Sequence, residues 1–385
     1  MNRRLPGGIW LLGLASLCMD LSSELIHSLL PVFMARELGL AMVAIGLVEG
    51  LGEATATLIR AFSGALSDRW RRRKPLLLLG YGLAAAAKPL FPLAQGLGWV
   101  LSARLMDRLG KGIRGAPRDA LVADLAPRAS RGAAFGLRQA LDSVGALLGP
   151  LAALGLMLLL AGDIRAVLWF ALLPAFGAVI LLALFLKEPA HPTEAPRQPF
   201  RWRQALRLPG AFWWLLLLAA LFTLARFSEA FLILRVQQLG LALPLVPLVL
   251  VVMNLAYAAF AYPAGIAADA LDHRRLLLLG LMLLLAADLL LALARTPATA
   301  LAGALFWGLH MAFTQGLFAK LVADTAPAAL RGTAFGLFGL ITGLVVLLAS
   351  LLAGGLWQWL GPQAPFLAGA GFTLLTALVL LLGRR

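Results

Sequence analysis

Apolar residues run through this chain in blocks of more than a dozen, separated by short polar interruptions, and the blocks recur twelve times. A helix needs roughly 20 mostly apolar residues to cross a bilayer. Leu, Ala and Gly fill the blocks with little in-out alternation, so they predict membrane helices and not barrel strands. The predicted spans are 8–35, 41–67, 75–95, 97–126, 132–160, 164–186, 210–238, 244–269, 276–294, 297–325, 332–359 and 363–383. The start, Arg3 and Arg4 before an apolar run, superficially resembles a signal peptide, but Asp20 and Glu24 interrupt it and no convincing small-residue cleavage site follows. It is read as the first span.

Composition agrees: 61% of residues are hydrophobic, 13% are charged, and the mean hydropathy is +0.90. Lipid must be the solvent for most of such a chain. In a soluble protein a net charge of +15 would suggest nucleic acid, so the placement of the cations decides. With both termini inside, the clusters at 69–74, 197–207, 274–275 and 384–385 and single cations such as Arg118 fall on the cytoplasmic side, whereas the opposite loops hold little beyond Arg36, Arg165, Arg235 and Arg295. That bias is the positive-inside pattern and implies a multi-pass protein of a bacterial inner membrane, with no nucleic-acid partner. The single Cys18 lies in the first span as a small core filler.

Pro, charge and polarity cluster at 187–208, which reads as a cytoplasmic linker between a bundle at 1–186 and a second at 209–385. Residues 121–137 (LVADLAPRASRGAAFGL) align without gaps with 321–337 (LVADTAPAALRGTAFGL), and 13 of the 17 positions are identical. Asp124/Asp324, Arg131/Arg331 and Gly132/Gly332 are among them, and these are not apolar filler. Gly64–Asp68 (GALSD) is echoed by Gly265–Asp269 (GIAAD). A six-helix unit repeated in one orientation is a parallel-repeat transporter architecture with substrate between the halves. The chain resembles the major facilitator superfamily over essentially its whole length. That resemblance implies an all-α membrane protein of twelve transmembrane helices in two parallel six-helix repeats, working by alternating access as a monomer without a cofactor.

Three motifs carry the resemblance further. The loop from Gly64 through Asp68 and Arg69 to Arg72 and Lys74 resembles the superfamily's G-x-L-x-D-R-x-G-R-[RK] loop, with Arg71 replacing the glycine. A gating role is implied for Gly64, Asp68, Arg69, Arg72 and Asp269, together with Asp124, Arg131, Asp324 and Arg331. The alternative is a basic stop-transfer cluster that only fixes topology. In the fourth span, Arg108-Leu-Gly-Lys111-Gly112 is similar to the R-x-x-Q-G motif of proton-coupled members, with Lys111 in place of glutamine. Gly145-x-x-x-Gly149-Pro150 resembles the antiporter motif G-x-x-x-G-P, with Ala153 where the next glycine would stand. Generic close packing of small residues is the alternative there.

The fourth span also holds Arg104, Asp107 and Arg114. A charge at mid-bilayer costs about 2.5–3.5 kcal/mol on insertion scales, so these residues must face protein or water. Counter-charges are available: Asp20, Glu24 and His27 share one face of the first span, and Glu49 and Glu53 one face of the second. Asp20 and Glu53 each lie roughly 18 Å into their spans at about 1.5 Å per residue. Asp20, Glu24, His27, Glu49, Glu53, Arg104, Arg108 and Lys111 are therefore the candidate proton-coupling and substrate-cavity residues, a permanently paired structural network being the alternative. Arg138/Asp142 and Arg226/Glu229 are expected to pair with themselves at helical spacing. His27 and His310-Met311 offer possible ligands for a transition metal, but a hydrogen-bonded helix contact is the plainer reading and no metal site is assigned.

No Walker loop, H-E-x-x-H or Cys/His cluster occurs in the sequence. The favoured expectation is a proton-coupled exporter of a small molecule and not an enzyme. A facilitator or organic-anion carrier using the basic fourth helix, a metal or metal-chelate exporter, and a membrane enzyme or scaffold are the alternatives.

Overall fold

A computed structural model describes residues 5–70, 72–127, 130–188, 208–270, 272–327 and 330–383. Side chains at 65, 66, 68–70, 268–270 and 319 lie outside that description. The linker positions 189–207 and both chain ends do so as well, so the expected cytoplasmic linker falls outside the described residues.

Every regular element among the described residues is helical. In lipid each backbone N–H and C=O needs an internal partner, and a helix supplies it within one segment. The first six spans are α1 (Gly7–His27), α2 (Met42–Trp70), α3 (Lys74–Ala87), α4 (Leu97–Leu125), α5 (Arg131–Leu159) and a sixth in two pieces, α6a (Ile164–Phe170) and α6b (Leu172–Phe185). The second six begin with another divided span, α7a (Gly210–Ala225) and α7b (Ala230–Gln238). They continue with α8 (Leu248–Ala270), α9 (His273–Leu293), α10 (Pro297–Thr325), α11 (Arg331–Leu360) and α12 (Ala364–Leu382). All twelve apolar blocks have become spans, giving an all-α fold of twelve transmembrane helices.

Nine of the described spans are long and apolar enough by themselves to cross a membrane. The other three have local reasons for missing that mark. Lys88-Pro89 closes α3 early in a 3-10 turn, Lys88–Leu90, because Pro89 has no N–H to return to the Ala85 carbonyl, and the Lys88 N–H takes that carbonyl instead. α4 is loaded with charge, and α10 is diluted by His310, Thr314 and Gln315. The break in α6 at Ala171 follows from Pro174, which has no N–H to return to the preceding turn. Ser22 on α1 donates 2.7 Å to the Ala171 carbonyl at the break, which also accepts the Ala175 N–H at 3.4 Å.

The repeat is visible in the turns. Gly39 and Gly240 hold φ of 61° and 99° where the first and seventh spans end, a conformation that L side chains rarely adopt. Arg131 Nε donates 3.2 Å to the Ala123 carbonyl, and Arg331 Nε donates 3.2 Å to the Ala323 carbonyl. The two conserved-offset arginines thus brace the ends of α4 and α10 in the same way.

The chain forms two compact units. One contains Met1–Leu29 with Thr55–Pro199, and the other Leu30–Ala54 with Phe200–Arg385. In the first, α5 lies along α1 and α3 along α4, over a core of Ile9, Leu12, Met19, Leu77 and Tyr81. In the second, Gly46 and Gly50 at the start of α2 abut the backbone of α11, a Cβ on Gly50 lying 2.9 Å from Leu347 Cα. Small residues at that spacing let two helices touch, which ties the first half of α2 to the second unit. Large apolar side chains such as Leu159, Leu173 and Trp359 stand exposed, at 81%, 72% and 76%. That surface suits lipid and not water.

Candidate functional site

Several charged side chains of the first unit are buried along α1, α4 and α5. Arg104, Asp107, Arg108 and Arg114 are each buried, so the charge density of α4 is turned into protein as its insertion energetics demand. Lys111 is exposed. Arg114 lies over the Tyr81 ring, 4.8 Å from its centroid, and Tyr81 Oη pairs with Ser16 Oγ at 3.0 Å.

Asp20 and Glu24 are held where the helical stripe placed them. The reason is α5: a Cβ on Gly145 would lie 3.2 Å from Asp20 Cβ, and one on Gly149 would lie 2.7 Å from Glu24 Cβ and 2.9 Å from the Leu25 nitrogen. The small residues of the antiporter-like motif therefore pack α5 against the acidic face of α1, and Pro150 follows directly, buried. Asp20 lies within electrostatic reach of Lys111, Arg114, Arg118 and Asp142, and Glu24 within that of His27, Lys111 and Arg108. Glu24 Oε2 is 3.4 Å from His27 Nδ1.

A second layer was not anticipated. Lys88 Nζ, at the end of α3, donates 2.8 Å to Asp107 Oδ1 and 2.9 Å to Ser23 Oγ. Its only sequence signal is a lysine inside an otherwise alanine-rich block. Arg118, counted with the cytoplasmic cations in the sequence, turns inward to Ser16 Oγ at 2.5 Å and approaches Asp142 at 3.5 Å. Arg138 and Asp142 pair at 2.8 Å as their spacing predicted. They also join Arg118 and Asp119, with Arg138 3.6 Å from Asp119. Arg226 and Glu229 pair at 3.9 Å.

The remaining candidates fall elsewhere. Glu49 and Glu53 belong to Leu30–Ala54 and hence to the second unit, where Ser228 Oγ lies 3.5 Å from Glu49 Oε2. Asp124 is bound by Arg73, whose counterpart at an offset of 200 is His273. Gly64 and Arg72 flank the loop, but the side chains of Asp68, Arg69 and Asp269 lie outside the described residues. Among those described, no three His, Cys, Asp or Glu side chains converge on one point.

Charges folded inward, an apolar exterior and two six-helix repeats define a multi-pass membrane protein of the transporter class. The family model of the Major Facilitator Superfamily matches residues 12–242 and again 229–385, and the chain belongs to that superfamily. An uncharacterized MFS-type transporter of Methanocaldococcus jannaschii is 32% identical over 388 residues, covering 99% of this chain and 96% of that one. Multidrug resistance protein MdtH of Proteus mirabilis is 30% identical over 197 residues, 50% of this chain and 47% of its own length. Among solved structures, a mutant of the nucleoside transporter NupG superposes with a TM-score of 0.84 over 97% of this chain and 99% of that one, at 13% identity. Membership brings with it a small-molecule substrate and a bilayer environment.

Proposed function

We propose that the protein is a proton-coupled exporter that moves a small solute across the inner membrane by alternating access, without enzymatic chemistry or a cofactor. The observation that carries this reading is the acidic face of α1. Asp20 and Glu24 are pressed by Gly145 and Gly149 into a setting shared with Lys111, Arg108 and Arg118. A carboxyl poised between burial, which favours its neutral form, and nearby cations, which favour its charged form, can exchange a proton for a competing ligand. Export is favoured over uptake by the glycine motif and by the partial likeness to a multidrug resistance protein. The chain works as a monomer with both termini and the 187–208 linker in the cytoplasm, and the loop around Asp68 gates it.

A second reading has its own support. Arg104, Arg108, Lys111 and Arg114 on one helix form a clamp suited to an organic anion moved downhill. Purified protein in proteoliposomes separates the two, once a thermal-shift screen has supplied a ligand. The exporter accumulates solute only under an imposed pH gradient. Equal net flux with and without that gradient would establish the facilitator.

A further inference from the structure

A carboxyl buried in a membrane bundle needs a cation, a hydrogen-bond donor or a proton. Asp288 on α9 is 0% exposed, and neither carboxylate oxygen has a hydrogen-bond partner among the described residues. In the 200-residue repeat it stands where Lys88 stands in the first half, and Trp307 stands where Asp107 does. The buried Lys–Asp pair of the first unit has thus become, in the second, a lone acid. The Trp307 indole nitrogen, both His310 ring nitrogens and Thr373 Oγ1 also lack hydrogen-bond partners among the described residues.

The acid looks onto a broken helix. A Cβ on Gly369 of α12 would lie 2.8 Å from Asp288 Oδ2 and 3.2 Å from the Ala225 carbonyl oxygen. Ala225 is the last residue of α7a, and regular helix resumes only at Ala230, and its carbonyl receives no backbone donor among the described residues. That end of a helix carries the negative pole of its dipole. Two acceptors therefore lie close to one point beside Gly369, and neither has a hydrogen-bond partner among the described residues. Broken membrane helices expose carbonyls in this manner where a small cation is bound.

Few other charges reach the spot, and the buried Arg235 of α7b is taken up by the Leu291, Ala292 and Ala294 carbonyls at the end of α9. α7a and α12 contain no ionisable residue, α8 contributes only Tyr257, Tyr262 and Asp269, and the His273, Arg274 and Arg275 of α9 lie at its opposite end. α10 presents His310, whose ring packs on Trp307 at 5.3 Å and Phe222 at 6.2 Å, with Lys320 and Asp324 further along the same helix. Arg226 and Glu229 engage each other across the break.

We propose that Asp288, with the Ala225 carbonyl, forms a small-cation site at the break in the seventh span, taking a proton or Na⁺ as the missing partner. The site belongs to the second unit, whereas Asp20 and Glu24 belong to the first. Binding is measurable without transport, so the site stands or falls separately from the proposed coupling role of α1.

Infrared difference spectra of the full-length protein in nanodiscs test it, recorded on a pH step without Na⁺ and on exchange of choline for Na⁺ at fixed pH. A carboxyl band should change in one of the two exchanges and vanish in Asp288→Asn. Response to pH alone identifies the proton, and response to Na⁺ identifies the metal ion. Gly369→Ala keeps the carboxyl but wedges a methyl between it and the carbonyl, so its band should shift or weaken. This variant carries the test if Asp288→Asn does not fold. Spectra of Asp288→Asn identical to wild type in both exchanges would overturn the site, as would an unaltered response in Gly369→Ala.

Discussion

Removing Lys88 or Asp107 alone should destabilise the protein far more than removing both. Their side chains are 1% and 5% exposed, and Nζ lies 2.8 Å from Oδ1, with Ser23 Oγ as a second acceptor at 2.9 Å. Stranding one member of a buried pair costs about 3–5 kcal/mol, whereas an apolar pair of similar volume is often neutral or better. The two single losses should be unequal. Asp107 left by Lys88→Met still feels Arg104 and Arg108, which places that variant near the lower figure. Lys88 left by Asp107→Leu faces the like charges of Arg108 and Arg114 and belongs near the upper. The double variant should recover most of the loss, giving a favourable interaction term between the sites. Equilibrium unfolding of purified protein in mixed micelles reads all four corners of the cycle. Single variants within about 1 kcal/mol of wild type, the range of an exposed pair, would refute the reasoning, and so would a double variant as unstable as the two singles summed.

Two further outcomes follow from the packing and the loop. Gly149→Val drives side-chain atoms into the Leu21 carbonyl and Leu25 nitrogen, 2.7 and 2.9 Å from the Cβ position. Overpacking of that kind costs about 1–3 kcal/mol, and unfolding should show it together with a fall in transport, whereas Gly155→Val, with open space around it, should do neither. Asp68→Asn should lower transport while insertion and thermal stability stay near wild type; full transport by the folded variant would return the loop to a topology signal.

The fold was legible because a bilayer leaves a chain few options. Apolar blocks of spanning length must be helices, and the spans match the blocks to within four residues, except where Pro89 ends α3 early and where the first block runs on past His27 into the short helical turns Leu30–Val32 and Phe33–Glu37. The acidic stripe of α1 and the inward charges of α4 were legible for the same reason, since neither can face lipid. Lys88 was not, because a lone lysine in an apolar block shows nothing of the Asp107 that receives it until α3 and α4 are laid side by side. Arg118 misled because an arginine near a helix end reads as a solvated anchor, and only packing reveals Ser16 beside it. The division of α2 between units is invisible in a continuous helical pattern. It rests on Gly46 and Gly50, whose spacing is the ordinary mark of close helix contact.

The central claim is that a carboxyl on α1 couples protons to solute movement. Gradient-driven uptake into inverted vesicles carrying Asp20→Asn or Glu24→Gln tests it most directly, with solute exchange at zero gradient measured beside it. The account predicts that one of the two variants loses gradient-driven accumulation while retaining exchange, because only the protonation step is gone. Accumulation at the wild-type level in both variants would contradict it and leave the acidic face of α1 as structural ion pairs.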